Sequence, residues 1–367
     1  MRTLILTGSE SEGQQVVARA LKQAFTARGD TSLALSARVL LGQHPPLSYL
    51  KALENEALAS PRGFAFLSAG AAFLREGKRK STVYAVNARY AEHLETLLRE
   101  GEFDAVLCLH RYPAEAVSHI RKTLAFSARC CFLSCDYACV PFLEETRLDH
   151  YFTAHGSLTA AYEARGIPAK KIIPAGIPLP SDWFCAEDRV DARAILNLPQ
   201  GMPCYYIPAA SDPEAATVAL LSRIRGENGR VCVVSPDGAP PKSPFVARFS
   251  GDIRVVVLSG EDSHALYCAA CDVVLCSPSG ALSTRAALSG IPLVHLPTAD
   301  SFEAQTACFF AAQGMSALAG NYDEAATLAV SLAKDGEKQE QMRSRQQSES
   351  IADGAKHVVR FLHEGRL

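Results

Sequence analysis

The stretch from Ser277 to Pro292, SPSGALSTRAALSGIP, decides the fold class. The apolar run 273–276, VVLC, precedes it, and the apolar run 293–296, LVHL, follows it. Small residues at the start predict a tight turn, and the closing Gly-Ile-Pro predicts the end of a helix. The order is strand, turn, helix and strand, so the backbone N–H groups at the start of the helix would face a ligand above the sheet.

The same rhythm of short apolar runs and amphipathic helices occurs along the whole chain. Runs such as TLILTG at 3–8, DAVLCLH at 104–110 and CCFLSCD at 130–136 show little alternation between polar and apolar residues. Strands of this kind are buried on both faces, as in parallel sheets covered by helices. The sequence therefore predicts an α/β protein with two Rossmann-like domains and a cleft between their strand ends.

The domain boundaries follow from a break in that rhythm at LPSDWF, residues 179–184. We predict an N-terminal domain at 1–180, a linker at 181–194 and a C-terminal domain at 195–350. The last segment, 351–367, contains HVVRFLHEGRL, which is apolar on one side and is predicted to pack back on the body.

Composition narrows the function classes. The 367 residues are 48% hydrophobic and 21% charged, as is usual for a globular protein. A formal net charge of -2 disfavours a nucleic-acid partner, which would normally need a strongly basic face. No stretch approaches the roughly 20 apolar residues of a membrane span. Because MRTLILTGSES reads as a strand and a turn rather than a signal peptide, we expect a cytoplasmic protein.

The twelve cysteines are spaced poorly for a metal site. Cys268, Cys271 and Cys276 come closest, but they lie where a helix runs into a buried strand, and cysteine there behaves as a small hydrophobic residue. We expect buried, reduced thiols and no metal.

Strand ends are where open parallel sheets bind ligands. No segment that follows a predicted strand in this sequence contains the Gly-x4-Gly-Lys-Ser/Thr of a P-loop. The segment TGSESEGQQ at 7–15, after the first strand, lacks G-x-G-x-x-G. A nicotinamide or ATP enzyme is therefore disfavoured, and no cofactor is expected.

Several segments, in order, resemble one family. The opening LILTGSESEGQQVVARALKQAF, the run FDAVLCLHRYPAEAVSHIR, and the segment from SCDY to the Gly-Ile-Pro pair before the linker resemble glycosyltransferases. These glycosyltransferases are the monogalactosyldiacylglycerol synthases and the processive diacylglycerol glucosyltransferases. They are relatives of MurG and share the two-domain GT-B fold. Residues 277–292 resemble the donor loop and helix of this group.

The resemblance implies a reaction: inverting, metal-independent transfer of a hexose from a UDP-sugar to a lipid hydroxyl of the diacylglycerol type. It places the acceptor on the N-terminal domain, at Ser9, Glu10, Gly13, Gln14 and Tyr137. It places the nucleotide-sugar on the C-terminal domain, at Ala210, Ser211, Ser235, Asp237, Ser259, Gly260, Glu261, Ser277, Ser279, Gly280, Ala281, Arg285 and Glu303. The alternative for 277–281 is a tight turn with no ligand.

The sequence departs from the family at several of these positions. Arg285 replaces a glutamate that accepts a hydrogen bond from the ribose, and an arginine cannot accept one. It would instead bind a phosphate or point into solvent. Gln14 and Val140 replace histidines, and Phe302 replaces the glutamine before Glu303. The glycine-rich loop of the second domain is PAASDP, 208–213, which is bulkier.

Two side chains remain as candidates for the catalytic base. Asp136 ends a predicted strand at the cleft and either acts as the base or caps the strand end. His110 ends another strand and is either functional or a packing residue.

The segment 63–90 mixes phenylalanines with the basic cluster Lys78, Arg79 and Lys80. Such a surface would suit the inner face of an anionic membrane, as for a peripheral protein. The alternative is a core helix that ends in a solvated turn.

Three functions therefore remain open. They are a glycosyltransferase, a paralogue that binds a ligand or partner without sugar transfer, and a sugar-nucleotide epimerase on the same fold. The sugar, the acceptor and the oligomeric state stay undetermined by the sequence.

Overall fold

Each of the two sheets of this protein is parallel and is formed by its own part of the chain. The computed structural model describes residues 1–8, 12–36, 60–76, 80–81, 84, 91–208, 220–224, 230–234, 254–258 and 263–366. Unit 1 comprises Met1–Pro180, Ala299–Phe302 and Ile351–Leu367, and unit 2 comprises Ser181–Thr298 and Glu303–Ser350.

The sheet of unit 1 has six strands in the order β2-β1-β3-β4-β5-β6. Every residue of β3 and all but the first residue of β4 are buried, which explains their unalternating sequences. Helix α1, Glu12–Ala27, faces the sheet with Val17, Leu21 and Phe25, which are four residues apart, as is typical of an amphipathic helix. The strands are β1 Arg2–Thr7, β2 Thr31–Ser36, β3 Ala105–Cys108, β4 Arg129–Leu133, β5 His150–Thr153 and β6 Ile172–Pro174.

The sheet of unit 2 has the order β12-β11-β10-β7-β8-β9. The helix Tyr322–Lys334, α10 in the numbering below, covers this sheet with small side chains, among them Ala325, Ala326 and Ala329, so its backbone can lie close to β10 and β11. The strands are β7 Cys204–Pro208, β8 Arg230–Val234, β9 Val255–Leu258, β10 Val273–Cys276, β11 Leu293–His295 and β12 Ala317–Leu318.

Twelve helices have described bounds, and they are numbered in chain order. They are α1 Glu12–Ala27, α2 Pro61–Glu76, α3 Glu92–Glu100, α4 Arg111–Ile120, α5 Thr159–Ala164, α6 Arg189–Ile195, α7 His264–Ala269, α8 Gly280–Leu288, α9 Ser301–Ala312, α10 Tyr322–Lys334, α11 Gly336–Glu349 and α12 Gly354–Glu364.

The last helix, α12, packs against α1 within unit 1. The Phe361 ring meets the ring of His150 at 4.8 Å and that of Phe152 at 5.4 Å. Arg129 of β4 donates to the carbonyl oxygens of Phe361 and Leu362 at 3.1 and 3.0 Å, which satisfies the C-terminal end of the helix. The chain returns to unit 1 beside Gly176, whose φ is +81°. A Cβ there would lie 2.7 Å from the Ile351 oxygen, so this crossing requires glycine.

Candidate functional site

The strand order of unit 2 defines a switch point between β7 and β10. These strands are neighbours, but the chain proceeds from β7 to β8 on one side and from β10 to β11 on the other. The chain thus continues from the two strands to opposite sides of the pair, and in open α/β sheets ligands bind at such a switch point. The loop after β10 is Ser277–Ser279, and the helix α8 follows it. The loop after β7 lies outside the described residues.

Ser279 organises the start of α8. Its backbone is extended, with φ -74° and ψ 150°, and its hydroxyl accepts the Leu282 N–H at 3.2 Å. The Ser279 carbonyl accepts the Ser283 N–H at 3.0 Å, and the Ser277 carbonyl accepts the Ser279 N–H at 2.8 Å. The N–H groups of Gly280 and Ala281 belong to the first turn, where a helix offers no carbonyl acceptor of its own. This is the positive end of the helix dipole, which favours an anion such as a phosphate.

Arg285 lies on α8, and only 6% of the residue is exposed. Its guanidinium carbon lies 5.1 Å from the centre of the Trp183 ring and 5.5 Å from that of Tyr206. One terminal nitrogen donates to the His264 carbonyl at 3.0 Å, and the other donates to the Tyr206 hydroxyl at 3.4 Å. The charge is therefore stabilised mainly by aromatic faces, an arrangement that favours arginine over lysine.

The sequence analysis does not indicate the two aromatic partners of Arg285. Trp183 enters it only within the break LPSDWF between the predicted domains, and Tyr206 is not singled out. The available signal is that Trp183 is the sole tryptophan of the chain and lies within the predicted linker.

Glu303 lies in the first turn of α9. Its carboxylate accepts the Thr298 hydroxyl at 2.5 Å. Acidic residues are favoured at this end of a helix, so the contact also has a purely structural explanation.

Unit 1 has a corresponding switch point between β1 and β3, and Gly8 and His110 meet there. The order β2-β1-β3-β4-β5-β6 makes the chain leave β1 toward β2 and leave β3 toward β4. A Cβ added at Gly8 would lie 2.2 Å from Cγ of His110, so the imidazole lies directly against the Gly8 backbone. The Gln14 side-chain oxygen accepts the Gly8 N–H at 2.8 Å, which links the residue after β1 to the first turn of α1. Among the described residues, no atom lies within 4 Å of a Cβ built at Gly13.

His110 caps α4. Its Nδ1 accepts the Tyr112 N–H at 3.2 Å, and the two rings lie 4.5 Å apart. Because Nδ1 uses its lone pair in this bond, the neutral imidazole carries its proton on Nε2.

Asp136 follows β4, the strand next to β3. Ser134 donates its hydroxyl to the Asp136 carbonyl at 2.8 Å, which shapes the turn, and Asp136 itself is partly exposed. Tyr137, beside it, is buried. Gly8, His110 and Asp136 thus all lie at the carboxyl edge of the unit 1 sheet.

Other predicted site residues fall outside the part of the chain that the structure describes. They are Ser9, Glu10, Ala210, Ser211, Ser235, Asp237, Ser259, Gly260 and Glu261.

The proposed membrane segment is described in part, because Lys78 and Arg79 also lie outside the described ranges. Helix α2 exposes Phe66 by 76% and Phe73 by 72%. Lys80 donates to the Glu145 carbonyl at 2.5 Å and so is tied to unit 1. No helix among the described residues is long and apolar enough to cross a membrane.

All eleven cysteines whose side chains are described are reduced. Most are buried, and burial raises the pKa of the Cys130 thiol to about 12. Cys308 is exposed, contrary to the expectation of buried thiols. Within the described ranges, no three His, Cys, Asp or Glu side chains are grouped to hold a metal ion.

Two parallel α/β units, each with a switch point, define the GT-B class, and solved structures share this fold. MurG from Acinetobacter baumannii matches with a TM-score of 0.64 at 12% identity over 99% of each chain. UDP-GlcNAc 2-epimerase from Neisseria meningitidis, bound to UDP-GlcNAc, matches with 0.61 at 12% identity over 99% of this chain and 100% of that one. Alr3699/HepE from Anabaena, in complex with UDP, matches with 0.56 at 13% identity over 99% and 100%.

A family model narrows the class over part of the chain. Residues 14–179 match the model described as monogalactosyldiacylglycerol (MGDG) synthase. This confirms the resemblance inferred from the sequence: the chain has a GT-B fold, and residues 14–179 are similar to the MGDG synthase family. No protein in the search of curated proteins matches significantly.

Proposed function

We propose that the protein transfers a hexose from a UDP-sugar to a lipid hydroxyl of the diacylglycerol type, with inversion at the sugar and without a metal ion. The observation that carries this proposal is the loop Ser277–Ser279 with the first turn of α8, at the switch point of a GT-B fold. The acceptor class comes from the family match over residues 14–179.

The leaving UDP would be stabilised at α8. Its diphosphate would accept hydrogen bonds from the first-turn N–H groups of Gly280 and Ala281, where the helix dipole offsets the charge that develops as the bond to the sugar breaks. Small side chains at Ser277 and Ser279 would allow this close approach of the backbone. The donor would then need no bound cation for this part of the reaction.

We assign the base to Asp136 and not to His110. A neutral His110 ring with Nδ1 capping α4 has its proton on Nε2, so that nitrogen can donate but cannot take a proton from the acceptor. Asp136 lies at the same edge of the sheet and its carboxylate can accept a proton. His110 would position the turn at Gly8 and hydrogen-bond the acceptor.

The test uses the full chain with UDP-glucose, UDP-galactose and UDP-GlcNAc, and with diacylglycerol in vesicles. Glycolipid and UDP are the measured products. Asp136→Asn should lower turnover by at least about a hundredfold, the usual contribution of a positioned base, while UDP affinity by calorimetry stays unchanged. His110→Asn keeps an N-cap residue on α4 and should retain most of the turnover. Equal losses in both variants would contradict the assignment, and no glycolipid with any donor would contradict the proposed reaction.

A binding protein without transfer is the second candidate, favoured by Gln14. In this chain the Gln14 side chain holds the Gly8 N–H, a structural task, at a position where the family has a histidine. Tight UDP-sugar binding without glycolipid formation would support this candidate. Conversion of UDP-GlcNAc to its C2 epimer without any acceptor would instead identify an epimerase.

A further inference from the structure

Two buried thiols of unit 2 are in contact at the amino ends of β7 and β10. The sulfur atoms of Cys204 and Cys271 lie 3.3 Å apart, and the two residues are 2% and 3% exposed. The Cys271 thiol also points toward the Tyr267 carbonyl, 3.2 Å away. These residues are far apart in sequence, so their contact depends on the fold.

The backbone fixes this contact. Cys204 is the first residue of β7, and its carbonyl accepts the Asp272 N–H at 2.8 Å. Its own N–H donates to the Asp272 carboxylate, also at 2.8 Å. The same carboxylate accepts Arg193 at 2.6 Å and is 7% exposed. Cys271 immediately precedes this anchor, so the backbone holds the two cysteines next to each other.

A cavity of about 570 Å³ is lined by one of the two cysteines. Its lining includes Cys271, Cys185, Trp183, Arg189 and Arg343, while Cys204 is not among the lining residues. This volume lies in the range of small-molecule sites. A small reagent can therefore meet Cys271 first, with Cys204 behind it.

We propose that Cys204 and Cys271 are a redox-active pair, which low-molecular-weight disulfides oxidise through this cavity to an intramolecular disulfide. The Cys271 thiolate attacks a disulfide RS–SR, so that one S–S bond breaks and a mixed disulfide Cys271–S–SR forms with release of RSH. Cys204 then attacks the Cys271 sulfur and releases the second RSH. The protein loses two electrons and two protons, and RS–SR gains them.

The disulfide would join the two strands that flank the unit 2 switch point, at their amino ends. It would close the chain between residues 204 and 271, and so restrict the unfolded state of unit 2. This inference does not depend on which reaction the protein catalyses.

The experiment is a titration of the full chain with mixtures of glutathione and glutathione disulfide. All measurements start from the Cys308→Ser variant, called the background protein, because the exposed Cys308 would otherwise form a disulfide between two molecules. Intact mass should fall by two hydrogen atoms, and peptide mapping should find Cys204 linked to Cys271. The melting temperature followed by Trp183 fluorescence should rise by about 5 °C or more. Dithiothreitol should reverse both changes.

Variants separate the two steps. Cys204→Ser should stop at the mixed disulfide, with one glutathione on Cys271. Cys271→Ser should leave Cys204 unmodified, because that sulfur is not open to the cavity. Cys268→Ser, a buried thiol of the neighbouring helix α7, should oxidise like the background protein. A disulfide between Cys271 and Cys185, or no oxidation while the protein stays folded, would overturn the proposal. Both outcomes are measured on the Cys308→Ser protein, in which Cys204 and Cys271 are intact.

Discussion

Ser279 caps α8, because its hydroxyl accepts the Leu282 N–H. Under the proposed function, the N–H groups of the next two residues, Gly280 and Ala281, would bind the diphosphate beside it. A residue at this position can therefore be tested for stability and for binding separately, since aspartate also caps a helix but carries a negative charge.

Ser279→Ala should lower the free energy of unfolding by about 1 kcal/mol, because an N-cap is lost. Ser279→Asp should keep that stability but weaken UDP binding by about tenfold or more, because its carboxylate repels the diphosphate. Thermal unfolding and calorimetric titration check the two effects. If the aspartate variant binds UDP as tightly as the native protein, the diphosphate does not lie at α8.

His295 makes the stability of unit 2 depend on pH. Its ring is fully buried between the hydroxyls of Ser283 and Ser316, at 2.9 and 3.1 Å, and burial lowers its pKa to about 3. Below about pH 6.5 the unfolded chain binds a proton here that the folded chain does not bind. The contribution of His295 to the free energy of unfolding is therefore fully present above about pH 6.5. It is lost as the pH falls toward about 3, by up to roughly 1.4 kcal/mol for each pH unit.

Urea unfolding between pH 7 and pH 4, followed by Trp183 fluorescence, measures this slope. His295→Gln should flatten the slope even if it lowers the stability at pH 7. His119→Gln, in unit 1, is the matched control and should leave the slope seen by Trp183 unchanged. The same slope in the native protein and in His295→Gln would show that another group is responsible.

Residue-scale features divide into those that the sequence predicts and those that depend on distant partners. The turn at Ser277–Ala281 is local, so its small residues and the following helix pattern predict it. The burial of Arg285 is not local, because Trp183 and Tyr206 come from other parts of the chain. The contact of Cys204 with Cys271 is missed for the same reason, since the sequence draws attention to the closer spacing of Cys268, Cys271 and Cys276.

Elements were predictable where burial on both faces leaves a continuous apolar run. This holds for β3, β4 and β10, whose sequences AVLC, RCCFL and VVLC are almost wholly buried. The strand order, which creates the switch points, is set by pairings between distant segments, and only the family resemblance indicated it. Helix α12 shows the same limit: its apolar side was visible in the sequence, but its contact with α1 was not.

Phe361→Ala on α12 should lower the free energy of unfolding by about 3–5 kcal/mol, because a buried ring would be replaced by a cavity. The ring is 4% exposed and packs on His150 and Phe152. Circular dichroism during urea unfolding measures this loss. Lys356→Ala changes an exposed side chain of the same helix and should have little effect. An equally small effect of Phe361→Ala would mean that α12 contributes little to unit 1.

At the scale of the whole molecule, each unit has its own sheet and its own apolar core. We therefore expect a ligand that binds one unit to stabilise that unit first. Trp183 is the sole tryptophan and lies in unit 2, so its fluorescence reports the unfolding of that unit.

UDP at 100 times its dissociation constant should stabilise unit 2 by about 2.7 kcal/mol. The melting temperature seen by Trp183 should then rise by about 5–10 °C. Uridine, which lacks the diphosphate, is the control and should give a much smaller rise. A rise of equal size with both compounds would place the binding energy in the nucleoside and away from the first turn of α8.

The position of α12 also bears on how the protein is made. Unit 1 begins the chain, yet the helix that covers α1 and receives Arg129 follows unit 2 in sequence. On the ribosome, the first sheet emerges long before this helix, so its apolar flank near β5 stays uncovered while unit 2 is being synthesised. The nascent chain thus has a long interval in which a chaperone can bind that flank, and α12 covers it only after unit 2 has been translated.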